Sequence, residues 1–226
     1  MCERITQTRS AETYAKEMGW IADDYIEHDW QPCWNVAPGT SPMVMSFFDD
    51  LHRFDPLYWG YKPPWNAENK RRVQQCAPIE TVAHSAMFRD MLKSGRIIVP
   101  ADGWYEWTGE KGHKQPWYFR RKSDKPLFLA AITYTEPAQE ALPELGFVIL
   151  TGAARGGMTG IHRRRPVVLS PDDALAWMSP DLSVDQAERI ARQMALGPES
   201  FEWHQVSTDV NESGRSDPHM IAPIET

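Results

Sequence analysis

The chain has 226 residues, enough for one large domain or two small ones and long enough to bury a core. Its 24 Lys and Arg against 31 Asp and Glu give a net charge of −7, which excludes a protein that coats nucleic acid non-specifically but leaves room for a local basic cleft. The start, MCERITQTRS, has no apolar signal core, no later segment approaches a membrane span, and three cysteines (Cys2, Cys33, Cys76) lack metal-ligand spacing, so the expectation is a reduced, cytoplasmic chain without disulfide framework, metal or membrane contact.

Residues 10–27 read as a helix, with Ser10 able to cap it and Tyr14, Met18, Ile21 and Tyr25 recurring at helical spacing. Irregular, proline-rich sequence follows from 30 to 42. Residues 43–48 and 54–59 read as strands, and a second helix is expected over 85–94, with Ser85 as cap and Gly95 just past its end. The clearest strands come next, at 97–99, 103–107, 117–121, 127–133, 147–151 and 167–169. Ser170-Pro171-Asp172-Asp173 starts a helix with a cap, a proline at the first position and acids at the positive end of the dipole. Ser183 and Gln186 form a capping box for another helix that ends at Gly197-Pro198. Strands in the middle with helices near both ends make an α+β protein: a single domain over 1–226 around a strongly curved, barrel-like mixed sheet.

Cys2 carries the first chemical signal. Removal of the initiator methionine would leave a cysteine whose α-amine and thiol sit on adjacent carbons. The amine can condense with an aldehyde to an imine, and the thiol can then close a five-membered thiazolidine ring. The amine titrates at roughly 7.7–8 and the thiol at about 8.5, so both have nucleophilic fractions near neutrality. Position alone leaves an accident of sequence as the alternative.

Three further segments carry chemistry. In Asp102-Gly103-Trp104-Tyr105-Glu106-Trp107, strand alternation puts Glu106 on the face of Trp104; a carboxylate desolvated by an indole has a raised pKa suited to acid–base work, while one at a strand edge in solvent has not. In Ile161-His162-Arg163-Arg164-Arg165-Pro166, a histidine able to move a proton precedes three arginines able to bind phosphate, or the run is a solvated loop. Trp34-Asn35 and Trp59 to Trp65 lie on proline-shaped loops, where indoles stack on bases or serve as buried anchors; Lys70-Arg71-Arg72 adds charge nearby. His204 and His219, far apart in sequence, read as surface or core residues rather than ligands.

Met1-Cys2-x-Arg4, Asn35 to Gly39, Trp59-Gly60-Tyr61-x-Pro63-x-Trp65, Glu80-Thr81, Phe88-Arg89, Pro100 to Trp107, Ile161-His162-x-Arg164-x-Pro166-Val167 and Val206-Ser207 before Pro223 occur in one order. That ordered set resembles the SOS-response-associated peptidase (SRAP) family over nearly the whole chain. The resemblance implies a mixed α/β fold with a barrel-like sheet, a monomer without cofactor or metal, and nucleoid association when bound to DNA. It implies binding of single-stranded DNA at abasic sites, where the open sugar presents an aldehyde and terminal Cys2 forms a shielding thiazolidine crosslink after the preceding residue is removed. Under it, Glu106 assists ring opening and proton transfer, and His162 is a second proton carrier. Arg4 and Arg164 contact phosphates, and Asn35 and Trp65 line the DNA groove; Arg163, within the basic run, is a further candidate for DNA binding. The chain departs from the family pattern at four places: Glu3 stands for the usual glycine, Cys76 for an asparagine that holds the sugar, Pro78 for a DNA-contacting arginine, and Arg163 for the aspartate after the histidine. Gln75 and Cys76 are the candidates to replace that asparagine. Two alternatives stand beside this reading: a non-catalytic paralogue that binds single-stranded or modified DNA, and a self-processing N-terminal cysteine peptidase.

Overall fold

The computed structural model of the chain describes residues 3–20, 25–27 (backbone only), 31–63, 72–110, 112–134 and 142–224. In chain order its elements are β1 (Ile5–Gln7), α1 (Ala11–Glu17), β2 (Tyr25–Glu27), β3 (Cys33–Val36), β4 (Met43–Phe48), β5 (Leu51–Pro56) and β6 (Cys76–Pro78). Then follow α2 (Arg89–Ser94), β7 (Arg96–Ala101), β8 (Gly103–Thr108), β9 (Gln115–Arg121), β10 (Leu127–Thr133) and β11 (Phe147–Ala153). The last are β12 (Arg164–Pro166), β13 (Val168–Leu169), α3 (Pro171–Met178), α4 (Val184–Arg189) and β14 (Phe201–Gln205).

The strands form two sheets. One runs β14-β9-β8-β1-β3; the other runs β12-β11-β10-β7-β4-β5-β2, with β13 paired to β10 and β6 to β11. The central strands β7 and β10 of the second sheet are buried on both faces, and their sequence shows it. Along β10, Phe128, Ala130 and Ile132 pack with the helices, while Leu127, Leu129 and Ala131 pack with Ile5, Trp104, Phe119 and Phe201 of the first sheet. A strand covered on both sides reads as a continuous apolar run, as this one does. The outer face of the first sheet has its own small core, where Tyr105 and Tyr118 lie under Val206, Val210 and Met220 of the C-terminal segment.

The α+β class holds, and the sheets remain open rather than closing into a barrel. The chain leaves one sheet for the other at Asp102, between β7 and β8. There the buried Gln7 side chain takes over backbone groups that a closed ladder would pair: its Nε2 donates to the carbonyls of Met43 and Pro100 at 2.8 Å each, and its Oε1 accepts from Met43 N–H at 3.1 Å. Asp102 locks the same corner. It accepts from Thr8 N–H (2.6 Å), Thr8 Oγ1 (2.7 Å), Tyr14 OH (2.9 Å) and Arg9 Nε (2.8 Å).

Several expected elements change their bounds. The first helix stops at Glu17 instead of reaching 27, because Gly19 adopts φ +77°, a left-handed conformation that ends the helix. Part of its expected second half, Tyr25–Glu27, is a strand parallel to β5; the side chains there and residues 21–24 lie outside the described set. The strand expected at 54–59 begins at Leu51 and stops at Pro56, after which Leu57 and Trp59 donate to the carbonyls of Pro42 and Thr40. The second helix begins at Arg89, since Val82–His84 forms a 3₁₀ turn and Ser85 holds the bend by accepting from Phe88 and Arg89. The helix opened by Ser183 passes into a π turn, Ile190–Met194, before Gly197. The caps at Ser10, Ser170 and Ser183 each accept from a backbone N–H three residues on.

Candidate active site

β8 is the strand that carries Glu106, and its neighbours fix it on every side. Gly103 is needed at its start because a Cβ there would lie 2.4 Å from the Tyr118 ring. Trp104 stacks on Phe119 (4.8 Å between centroids) and meets Phe201 edge-on (5.2 Å). On the opposite face Tyr105 OH donates to Trp34 O at 2.8 Å, and Trp107 Nε1 donates to Asn211 Oδ1 at 2.7 Å. Between them Glu106 is only 2% exposed. Burial, with the nearby Glu3 carboxylate adding to it, pushes its carboxyl up to about 8. Glu106 is therefore mostly protonated at neutral pH, ready to donate a proton and, having donated, to take it back.

His162 faces it. A 3₁₀ turn, Gly156–Gly160, ends with His162 N–H donating to Met158 O at 3.0 Å, which aims the ring inward. Its Nδ1 lies 3.6 Å from Glu106 Oε2. Burial lowers the imidazole pKa below its ordinary value. At neutral pH the contact is consequently a protonated acid beside a neutral base, and opposite shifts of this kind mark out acid and base roles. Nδ1 also lies 2.9 Å from Arg164 O and 3.1 Å from Arg164 N. With a proton it donates to the carbonyl; without one it accepts from the N–H. The same residue supports both tautomers, so the ring can exchange a proton at Nε2 without turning over.

The family-implied DNA contacts divide. Arg163 is exposed at the turn. Arg164 is committed within the protein: its guanidinium forks onto Glu80 at 2.7 and 2.9 Å and donates to Thr151 O and, at 3.1 Å, to Thr151 Oγ1. Those hydrogen bonds hold the Glu80 carboxyl below its ordinary value. Glu80 and Thr151 come from β6's end and β11, and nothing in the local sequence announced them as partners of Arg164. Arg4 donates to Asn35 Oδ1 (2.7 Å), Val210 O (3.2 Å) and Ser213 Oγ (3.2 Å), while Asn35 Nδ2 reaches the carbonyls of Val210, Glu212 and Arg215 at 2.9–3.3 Å. These two residues thus fasten the C-terminal segment against β1 and β3. Gln75 is half-buried, and its carbonyl accepts from Trp59 Nε1 at 3.0 Å. Cys76 is 6% exposed in the core between the sheets; burial, then the neighbouring Glu106 and Glu3, push its thiol up to about 12. It remains a neutral thiol at pH 7. Cys2, Trp65, Lys70 and Arg71 lie outside the described residues. His219 sits between Asp209 Oδ2 (2.7 Å) and Asp217 Oδ1 (2.5 Å), and His204 Nε2 lies 2.9 Å from Ile221 O, so both belong to the C-terminal segment's own bonding. Among the described residues no group of three His, Cys, Asp or Glu could hold a metal ion, and no helix is long and apolar enough to cross a membrane.

The register brings the start of the chain to this pair. β1 runs antiparallel to β8 with Ile5 opposite Trp104 and Thr6 opposite Gly103, and Tyr105 N–H donates to Arg4 O at 3.0 Å. One further step along that register sets Glu3 level with Glu106.

The family model for SOS response associated peptidase (SRAP) matches residues 1–213. The chain belongs to the SRAP family. This SRAP protein is 37% identical over 226 residues to the abasic site processing protein YedK of Escherichia coli, an alignment that covers 99% of this chain and 100% of the relative. It is 28% identical to the abasic site processing protein HMCES of Gallus gallus, covering 88% of this chain and 68% of the relative. Its fold superposes on a phage-related protein of Bordetella bronchiseptica with a TM-score of 0.78 at 35% identity, covering 91% of this chain and 94% of that one. A Bacteroides thetaiotaomicron protein at 21% identity shares the fold with a TM-score of 0.77, covering 99% of this chain and 100% of that one. Of the expected site residues, the structure brings Glu106 and His162 together, places Cys76 near Glu106, and ties Arg4 and Asn35 to the C-terminal segment.

Proposed function

We propose that the chain is an abasic site processing protein that binds single-stranded DNA at the lesion and forms a covalent thiazolidine through Cys2 once Met1 has been removed. The observation that carries this reading is the pairing of buried Glu106 with half-buried His162 at the place where β1 leads toward the N-terminus. Cys2 is one peptide bond from Glu3, so its Cα is held to within about 3.8 Å of that residue's.

The chemistry balances with one water lost. The Cys2 amine adds to the C1 aldehyde of the opened sugar to give a carbinolamine. Glu106 donates a proton to the departing hydroxyl and its carboxylate then takes back the nitrogen proton, so that water leaves and an imine remains. The Cys2 thiol gives its proton to His162, the thiolate adds to the imine carbon, and His162 passes that proton to the imine nitrogen, closing the ring. Reversal uses the same groups. Removal of Met1 is self-processing on this reading: one water is consumed and free methionine released. Arg163 contacts a DNA phosphate from the exposed turn, Trp65 lines the groove, and Arg164 contributes by holding the His162 ring through its own backbone N–H and carbonyl. Gln75 serves in place of the family asparagine, since the buried thiol of Cys76 is a poor hydrogen-bond donor. The chain acts as a single-domain, monomeric, cytoplasmic protein that joins the nucleoid on binding DNA, without cofactor.

The test is adduct formation with an abasic single-stranded oligonucleotide, resolved on a denaturing gel. Wild-type protein gives a heat-stable shifted band and Cys2→Ala gives none; a band of equal yield from Cys2→Ala would refute the mechanism. One observation favours a second reading, a non-catalytic DNA-binding paralogue: a buried, neutral thiol, Cys76, stands where the family asparagine holds the sugar. That reading predicts salt-dependent binding with no adduct from the processed wild-type protein.

A further inference from the structure

The third arginine of the run sits differently from the first two. Arg163 is exposed and Arg164 is bound to Glu80, but Arg165 is 8% exposed, and among the described residues its Nη1 has no hydrogen-bond partner. A buried, incompletely paired guanidinium is costly, and Glu199, whose carboxylate lies against Gly197, favours its charge without hydrogen-bonding its Nη1. Phe201 lies 6.0 Å from its Cζ and supports it from one side. On the other side it lines a pocket of about 280 Å³ together with Arg155, Arg192, Gly152 and Gly197. Strand alternation explains the division: Arg164 points toward Glu80 and Thr151, and Arg165, opposite Gly152 in the ladder, points away.

The charges of the pocket are cationic in excess. Glu80 lines it too, but both its oxygens are bound by Arg164. Arg192 is bound to Glu188 and to the carbonyls of Ile79 and Glu80. Glu199 favours the Arg165 charge, while burial and the like charge of Arg155 oppose it. Two guanidinium groups therefore repel each other across a pocket whose one lining carboxylate, among the described residues, is bound elsewhere. We propose that this pocket is an anion site that takes a phosphate group between Arg165 and Arg155, with Arg192 at its rim. Guanidinium forks match phosphate oxygens two at a time, and a tetrahedral anion can accept from both arginines at once. The phosphate comes from the backbone of a bound DNA strand or from free phosphate. The DNA source rests on the function proposed above and adds to it a strand path behind the Arg164–Glu80 pair; the free source does not depend on it.

The experiment compares wild type, Arg165→Met and Arg165→Lys, with crosslinking to abasic DNA scored on the same preparations. Thermal unfolding is followed with inorganic phosphate against chloride at matched ionic strength, and affinity for an undamaged single-stranded oligonucleotide is measured from about 50 to 200 mM salt. Stabilisation by phosphate in wild type, absent in Arg165→Met and partial in Arg165→Lys, establishes free-phosphate occupancy. A loss of oligonucleotide affinity of about tenfold in Arg165→Met, with the salt slope shallower by about 0.7, establishes the DNA backbone as the source. If wild type and Arg165→Met respond alike in both assays, the site is refuted. Crosslinking without either response would remove the anion site and leave the proposed function standing. A phosphate response without crosslinking would do the reverse.

Discussion

Replacing Glu106 by Gln should remove activity and raise stability at once, and the size of the gain follows from burial. The side chain is 2% exposed and its carboxyl is pushed up to about 8, from an ordinary 4.5. Below pH 4.5 the carboxyl is protonated in both folded and unfolded chains and contributes no difference. Between 4.5 and 8 the unfolded chain gives up the proton while the folded chain keeps it. The unfolded state then binds fewer protons, so stability falls as pH rises through that window. At about 1.36 kcal/mol per pH unit, the penalty at pH 7 is about 3 kcal/mol. Gln cannot ionise and is close in shape to the protonated acid, so Glu106→Gln should exceed wild type in unfolding free energy by about 3 kcal/mol at pH 7, with the excess shrinking toward zero at about pH 4.5. Urea unfolding at several pH values between about 4.5 and 8 measures it. A difference that does not change with pH, or a variant less stable than wild type at neutral pH yet equal in acid, would refute the claim that burial holds this carboxyl protonated.

Three other outcomes follow from the same geometry. The rate of adduct formation, read by quenched time courses, should fall above about pH 8 as Glu106 loses its proton and fall again on the acid side as His162 gains one; a rate still climbing at about pH 9.5 would exclude Glu106 as the acid. Asn35→Ala takes one hydrogen bond each from Arg4 and from the carbonyls of Val210, Glu212 and Arg215, a loss of about 1–3 kcal/mol, so hydrogen exchange over 207–216 should quicken about tenfold or more; unchanged exchange there would refute the fastening role. Arg164→Ala releases Glu80, whose depressed pKa now adds stability above the ordinary carboxylate value that is lost as pH falls through the folded value. The variant's unfolding free energy should lose that acid-side slope, and a slope equal to wild type would deny the ion pair its part.

The sequence exposed the elements whose causes are local. The Ser170 and Ser183 caps are written within four residues, and the apolar run of β10 reflects burial on both faces. The expected helix over 10–27 failed at Gly19, where apolar spacing continued but backbone conformation did not, and Tyr25–Glu27 pairs with β5, a partner that local periodicity cannot reveal. In the site, sharing a face with Trp104 foretold the desolvation of Glu106, and the chemistry of a terminal cysteine suggested an aldehyde. The Arg164–Glu80 fork spans 84 residues, and the Arg4–Val210 contact spans 206. Such contacts are products of the fold, and an arginine in a basic run carries no mark of which member is solvated, which is paired and which, like Arg165, is buried.

Intact-mass spectrometry of the protein before and after incubation with an abasic single-stranded oligonucleotide reads the chemistry of Cys2 itself. The expected result is a protein lacking Met1 that gains the mass of the oligonucleotide less one water, with the adduct mapped to Cys2 and absent in Cys2→Ala. A protein that retains Met1 and gains no mass, or an adduct that maps elsewhere and survives Cys2→Ala, would contradict it.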